Sequence, residues 1–303
     1  MDVFDTPPNQ CCITRRYTGG FRSTGIAQPT LDWHTWTRPL GHSMLAIIAI
    51  GGGAGAGGGR ASAGGANFGG GGGASSCISR YLYSLELLPE TLYIQVGGGG
   101  LGGAGGTNAN GSPGADGSNS YVSIYPNSTP AENHIAVACS VPGQSGGGGT
   151  TAAGGGGTAA QVITPTTYPL MSWAISFAST AGQAGRNGAQ GPAFGVTALL
   201  GGGGGGTNNV AGVGFNPVVN TPYATVPSAA IGAPGGHGFM TGRIPVHFPG
   251  FGGGGGPGAG NGADGGWGVT YGSGGGGGGG VTSAGTGGRG GEGGPGLVIM
   301  TSW

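Results

Sequence analysis

The stretch Met44–Gly59, which reads MLAIIAIGGGAGAGGG, decides the fold of this chain. Its first seven residues are apolar and rich in isoleucine, a composition that favours a short β-strand. The glycines that follow disfavour both helix and strand, by roughly 0.5–1 kcal/mol each relative to alanine. The stretch therefore predicts a strand that gives way, at residue 51, to a different kind of backbone structure.

The same pairing of a β-prone run with a glycine run recurs along the chain. The β-prone runs are 44–50, 92–96, 121–125, 135–139, 196–200 and 297–300. The glycine runs are 51–53, 57–59, 69–73, 97–100, 146–149, 154–157, 201–206, 252–256 and 274–280. The segment Ile78–Leu88 is the one stretch that predicts a helix, and Pro89 would end it.

Glycine supplies 84 of the 303 residues, about 28%, whereas a typical chain holds roughly 7%. Disordered chains are usually highly charged and poor in apolar residues. Here 6% of the residues are charged and 36% are hydrophobic, so the composition favours an ordered protein.

Ordered glycine runs need a structure that uses close backbone approach. Extended left-handed helices of the polyproline-II type have three residues per turn, a rise of about 3.1 Å and no internal hydrogen bonds. Each N–H and C=O must then bond to a neighbouring helix. The strict G-X-Y period of collagen is absent. The predicted fold is mostly β or irregular, with short β-strands combined with stacked polyglycine-II-type helices and very little α-helix.

The chain divides by composition into residues 1–40 and residues 41–303. The first part holds four of the nine arginines and only three glycines, which predicts an attachment segment that precedes a glycine-rich domain with aromatic and polar inserts. Cysteine usage leaves two interpretations open: buried free thiols, or one disulfide between Cys77 and Cys139.

Charge and motif content argue against several classes of protein. The net charge is zero, which removes the basic footprint of a nucleic-acid-binding protein. The longest apolar run has seven residues, far below the roughly 20 that span a bilayer. No membrane insertion and no nucleic-acid partner are therefore expected.

Cofactor, metal and catalytic sites are not expected either. Residues 47–56 imitate a strand followed by a dinucleotide-binding glycine motif, but the residues after them cannot form the helix that such a site requires. The cysteines and histidines lack metal-ligand spacing, and the carboxylates are scattered. We expect a protein that is not an enzyme.

Three elements, taken in order, carry a resemblance to a known family. The first runs from Trp33 through Pro39 and Gly41 into the apolar run and its glycines. The second, LPETLYIQVGGGGLGG at 88–103, is similar to an LPxTxxVxVGxGGxGG element, and the third is the closing GGRGGEGGPGLVIMT at 287–301. Together they resemble the glycine-rich domain of bacteriophage minor tail and tail-fibre proteins, over residues 33–303. The chain also resembles, in its alternation of glycine runs and inserts, distal tail-fibre adhesins that carry stacked polyglycine helices.

The resemblance implies a structural virion protein, a tail-fibre or tail-tip component that contributes to host-receptor binding. Other virion proteins would bind residues 1–40, and the chain would form a homo-oligomer, with a trimer as the guess. A head location, as a capsid decoration or head-fibre protein, remains an alternative, and so does a non-viral structural or ice-binding protein.

Recognition would come from aromatic residues in the inserts, because rigid aromatic side chains give contact area with little loss of entropy. The partner would be a host surface glycan or an outer-membrane protein. These residues would otherwise form small cores or subunit contacts. The candidates for receptor or partner contact are Phe239, His247, Phe248, Phe251, Trp267 and Tyr271.

Overall fold

The computed structural model describes most of the chain, apart from residues 1–11, residues 20–31 and much of 164–259. The described residues are 12–19, 32–63, 67–163, 174–177, 179, 181–182, 185, 206, 260–269, 271–282 and 285–303. Their strands are β1 (Ile13–Thr18), β2 (Trp33–Thr37), β3 (Met44–Ile50), β4 (Ile78–Ser84), β5 (Thr91–Gln95), β6 (Tyr121–Ser123), β7 (His134–Val137), β8 (Ala174–Phe177) and β9 (Leu297–Ser302). Two 3-10 helices, Leu85–Leu87 and Ala131–Asn133, complete the regular elements of this described part.

The strands form two antiparallel sheets. The five-stranded sheet has the order β1-β9-β3-β4-β8 and the four-stranded sheet has the order β2-β5-β6-β7. In the first sheet β3 lies between β4 and β9, so Ile47 is opposite Tyr81 on one side and Met300 on the other. Strand β9, at the C-terminal end of the chain, thus lies between β1 and β3, which come from its N-terminal part.

One hydrophobic core joins the two sheets. Its fully buried large side chains are Trp36, Leu45, Ile47, Tyr81, Leu85, Leu92, Ile94, Ile135 and Met300. The hydroxyl of Tyr81 donates to the carbonyl of Val137 at 2.5 Å and accepts from its N–H at 3.2 Å. Tyr83 likewise donates to the carbonyl of Ile135. The tyrosines of β4 therefore bond directly to the edge strand β7 of the other sheet.

The predicted fold class is confirmed, since the described chain is mostly strand and irregular structure with almost no helix. The predicted helix at Ile78–Leu88 is wrong. These residues form β4 and then the 3-10 helix Leu85–Leu87. Burial alternates along β4, with Tyr81 and Tyr83 inside and Arg80 and Leu82 outside, which is the two-residue period of a strand.

The first two strands belong to the same sheets as the rest of the chain. Strand β1 pairs with β9, and β2 pairs with β5, so each is an edge strand of one sheet. The role of residues 1–40 in attachment remains a prediction. No helix in the described ranges is long and apolar enough to cross a membrane.

The strands continue directly into glycine-rich stretches that we call the glycine segments. In the described part they are 51–61, 67–75, 97–106, 109–118, 143–149, 154–158, 261–268, 273–281 and 286–296. Every backbone N–H from Gly52 to Ala61 donates to another segment, and every carbonyl from Gly53 to Arg60 accepts from one. Residues 53–60 of this segment are thus fully hydrogen-bonded along their backbone without belonging to a sheet.

These hydrogen bonds repeat every three residues. Gly52, Gly55 and Gly58 donate to the carbonyls of residues 118, 115 and 112, with distances of 2.8–2.9 Å. The N–H groups of residues 53, 56 and 59 donate to the carbonyls of residues 294, 291 and 288. Those of residues 54, 57 and 60 donate to the carbonyls of residues 74, 71 and 68. Carbonyls of the same segment accept from 100–106, 146–149 and 275–281. The segment therefore has six hydrogen-bonded neighbours.

Burial shows the same period on an outer segment. Gly154, Gly157 and Ala160 are buried, whereas residues 155, 158 and 161 are exposed. A repeat of three distinguishes these segments from a strand, whose side chains alternate with a period of two.

Candidate functional site

The end of the glycine segments that lies farthest from the sheets is where their chain reversals meet. Ala61, eleven residues beyond Ile50, forms β-bridges with both Ala109 and Val281. Thr107 forms a bridge with Thr286, and their hydroxyls are 3.1 Å apart. We call this end the segment tip, defined by Ala61, Thr107, Ala109, Val281 and Thr286.

The longest stretch outside the described residues, 207–259, is flanked by residues that the glycine segments hold. The N–H of Gly206 donates to the carbonyl of Gly70 at 2.9 Å. On the other side, the N–H of Gly262 donates to the carbonyl of Thr286, at the segment tip, also at 2.9 Å. The predicted contact residues Phe239, His247, Phe248 and Phe251 fall within this stretch and so lie outside the described residues.

Trp267 is the predicted contact residue that the structure places at the surface. It is 43% exposed and lies in the segment 261–268. Asn261 and Asp264 are exposed on the same segment at three-residue intervals, so the three side chains share one face. We call Asn261, Asp264 and Trp267 the outer row.

Hydrogen bonds fix two members of the outer row against the neighbouring segment. Oδ1 of Asn261 accepts from the N–H of Thr286 at 2.9 Å, and Oδ1 of Asp264 accepts from the N–H of Arg289 at 2.7 Å. The Arg289 side chain is exposed beside them. The row thus presents an indole, a carboxylate and an amide on a fixed backbone, with a cation nearby. In the sequence, the motif NxxDxxW at 261–267 indicates this shared face only if a structure with a period of three residues is assumed.

Tyr271 has a different environment. It is half-buried and packs against a small cluster of Ile50, Ile78 and Leu297 where the glycine segments meet the five-stranded sheet. The guanidinium carbon of Arg16 lies 4.9 Å from the centre of its ring. Such a cation–π contact, together with the apolar cluster, gives Tyr271 a role in packing. Neither Arg16 nor the cluster was expected from the sequence, because the partners are far apart along the chain.

The titratable groups with shifted pKa values belong to the core. Burial lowers the pKa of His134, whose ring centre is 4.6 Å from that of Tyr121. Burial also raises the pKa of Tyr83. Among the described residues, no group of three or more His, Cys, Asp or Glu side chains is placed to hold a metal ion. Cys77 and Cys139 are buried free thiols.

Comparison with known proteins places the chain in a family. The family model of the glycine-rich domain matches residues 29–303, which is most of the chain. The chain therefore belongs to the glycine-rich domain family. No curated protein matches it.

Proposed function

We propose that this protein is a structural virion protein of a bacteriophage, a tail-fibre or tail-tip component that contributes to host-receptor binding. The observation that carries the proposal is the complete backbone hydrogen bonding of residues 53–60 to six neighbouring segments. This arrangement gives a rigid scaffold with few titratable side chains. Such a scaffold is better suited to supporting a binding surface than to catalysis. The resemblance of residues 33–303 to phage tail proteins supplies the link to a virion.

The glycine segments in this proposal are polyproline-II-type helices packed side by side. In a helix with three residues per turn, successive backbone N–H groups point in three different directions. The N–H groups of residues 52–60 likewise donate to three different neighbouring segments in turn. Packing at this distance leaves no room for side chains: a Cβ added at Gly58 would lie 2.1 Å from the carbonyl oxygen of Ala104. Glycine is therefore required by close approach of backbone to backbone.

Recognition, in this proposal, occurs at the segment tip and along the outer row. The scaffold holds both flanks of residues 207–259, which contain four of the aromatic candidates. Trp267 offers an exposed indole beside the fixed carboxylate of Asp264. An aromatic face with adjacent hydrogen-bonding groups suits a glycan or a loop of an outer-membrane protein.

Antibody labelling of phage particles tests the virion assignment. Antibodies against the purified protein should bind at the tail in electron micrographs. Labelling of the head would instead favour the capsid-decoration or head-fibre alternative. Particles that carry no label, together with thermal hysteresis in a dilute solution of the protein, would favour a non-viral ice-binding protein.

Competition for adsorption tests the receptor role. The purified protein should slow adsorption of the phage to host cells, and Trp267→Ala should weaken this competition. Tyr125→Ala is the matched control, because Tyr125 is an exposed aromatic residue, 57% accessible, in the loop after β6. Equal competition by both variants and the original protein would remove Trp267 from the binding surface.

Residues 1–40 attach the protein to other virion proteins in this proposal, and the assembled form is a homo-oligomer. Light scattering after size-exclusion chromatography should give the mass of three chains for the full protein. A monomer that still labels the tail would contradict the trimer while leaving the virion assignment intact.

A further inference from the structure

Two buried cysteines lie where the two sheets meet. Cys77 directly precedes β4 of the five-stranded sheet, and Cys139 follows two residues after β7 of the four-stranded sheet. Both side chains have no exposed surface. They are 62 residues apart in the sequence, so a bond between them would join distant parts of the chain.

The side chain of Cys139 is directed at Cys77. Its sulfur accepts the backbone N–H of Cys77 at 3.1 Å and lies 3.1 Å from the hydroxyl of Ser76. On the other side, the N–H of Cys139 donates to Oδ1 of Asn119 at 3.0 Å, which fixes the backbone from which its side chain projects.

We propose that Cys77 and Cys139 form a disulfide that links the two sheets when the chain folds in the presence of a small-molecule disulfide such as oxidised glutathione. The contacts already bring the sulfur of one cysteine against the backbone of the other, so bond formation needs little movement. This inference does not depend on the proposed virion function.

The bond forms by two exchange steps. One cysteine thiolate attacks a sulfur of oxidised glutathione and expels one glutathione thiolate, which leaves a mixed disulfide on the protein. The second cysteine thiolate then attacks the protein sulfur of that mixed disulfide and expels the second glutathione. The two protein thiols lose two protons and two electrons, and one oxidised glutathione becomes two reduced ones.

Folding, and not the folded state, is the stage at which this exchange takes place. The hydrogen bond to Cys139 and burial raise the pKa of the Cys77 thiol, so Cys77 itself holds little thiolate in the folded protein, whereas the same hydrogen bond lowers the pKa of Cys139. Both sulfurs are also closed off from a small-molecule oxidant in the folded state.

Peptide mapping of refolded protein tests the proposal. The full-length chain is unfolded and refolded in a glutathione redox buffer or in excess reductant, and folded molecules are isolated by size-exclusion chromatography. After digestion without reduction, the oxidised sample should contain a linked pair of peptides that carry Cys77 and Cys139, lighter by two hydrogens than their sum. Folded protein from the redox buffer in which both cysteines can still be alkylated would overturn the proposal.

A matched variant distinguishes stabilisation by the disulfide from other effects of the redox buffer. In a Cys11→Ser/Cys12→Ser background, the disulfide should raise the melting temperature by roughly 5–15 °C over the reduced form. Adding Cys139→Ser should abolish both the linked peptides and this difference. A difference that persists with Cys139→Ser would show that the stabilisation has another source and would contradict the proposal.

Discussion

Single glycines in the segments differ sharply in the space around them. At Gly58 and Gly55 an added Cβ would lie 2.1 Å and 2.0 Å from carbonyl oxygens of the neighbouring segment. At Gly155, in the outer segment 154–158, nothing lies within 4 Å of the same atom. Glycine is therefore required by packing at the first two positions and is replaceable at the third.

Gly58→Ala should lower the free energy of unfolding by roughly 1–3 kcal/mol or more, because the neighbouring backbone must move and its hydrogen bonds must lengthen. Chemical denaturation measures this loss. Gly155→Ala is the control, and it should be neutral or stabilising by about 0.4–1 kcal/mol, since alanine restricts the unfolded chain. Equal effects of the two substitutions would contradict close packing of the segments.

His134 makes the stability of the protein depend on pH. Burial holds its pKa below the ordinary value of 6.5, so the unfolded chain binds a proton more readily than the folded one. Stability from this group is complete above about pH 6.5 and falls as the pH is lowered towards the folded-state pKa. The denaturation midpoint should therefore drop between pH 7 and pH 5, and His134→Gln should reduce that drop. If the midpoint of the His134→Gln variant fell by the same amount, the pH dependence would have to come from other titratable groups.

The strands show which elements can be read from the sequence. The β-prone runs at 44–50, 92–96 and 297–300 correspond to β3, β5 and β9, and those at 121–125 and 135–139 overlap β6 and β7. The run at 196–200 lies outside the described residues. Apolar runs next to glycine identify β3, β5 and β9 well because one face of each is buried in the core and the residues on the other face are largely half-buried.

The polar edge strand β1 was not predicted from its sequence pattern. Strand β1 has the sequence ITRRYT, and its partner β9 lies almost 280 residues further along the chain. A polar strand of this kind is stabilised by a distant neighbour and not by its own pattern. Similar non-local contacts explain why the packing of Tyr271 against Ile50, Ile78 and Leu297 was not predicted.

The outer row was missed for a different reason. Its period of three belongs to neither helix nor strand, so a search for those two patterns passes over Asn261, Asp264 and Trp267. The aromatic member alone was predicted, from its position between glycine runs.

The tyrosines of β4 connect the two sheets, which makes their hydroxyls important for stability. Tyr81→Phe removes the partner of both the N–H and the carbonyl of Val137, in a buried position. The substitution should cost about 1–3 kcal/mol in unfolding free energy, measured by chemical denaturation. Tyr125→Phe is the control, because its side chain is exposed, and it should change stability by less than about 0.5 kcal/mol. A loss no larger than that of the control would mean that these bonds do not hold β4 to β7.

The whole molecule combines two kinds of interior. The sheets share a hydrophobic core of large side chains, whereas the glycine segments are held together by backbone hydrogen bonds at close approach. Strands β3 and β5 continue into glycine segments, and β9 directly follows one, so the sheets fix where these segments begin or end. Gly206 and Gly262, described residues on either side of 207–259, are hydrogen-bonded to glycine segments.

Hydrogen exchange over residues 51–61 tests most directly whether the glycine segments are a rigid scaffold. Mass spectrometry of peptides that cover 44–61 compares the amides of Gly52–Arg60 with those of β3. The amides of Gly52–Arg60 should exchange as slowly as those of β3, because each is hydrogen-bonded to a neighbouring segment in the interior. Exchange of these amides at the rate of an unfolded peptide, while β3 stays protected, would contradict the account.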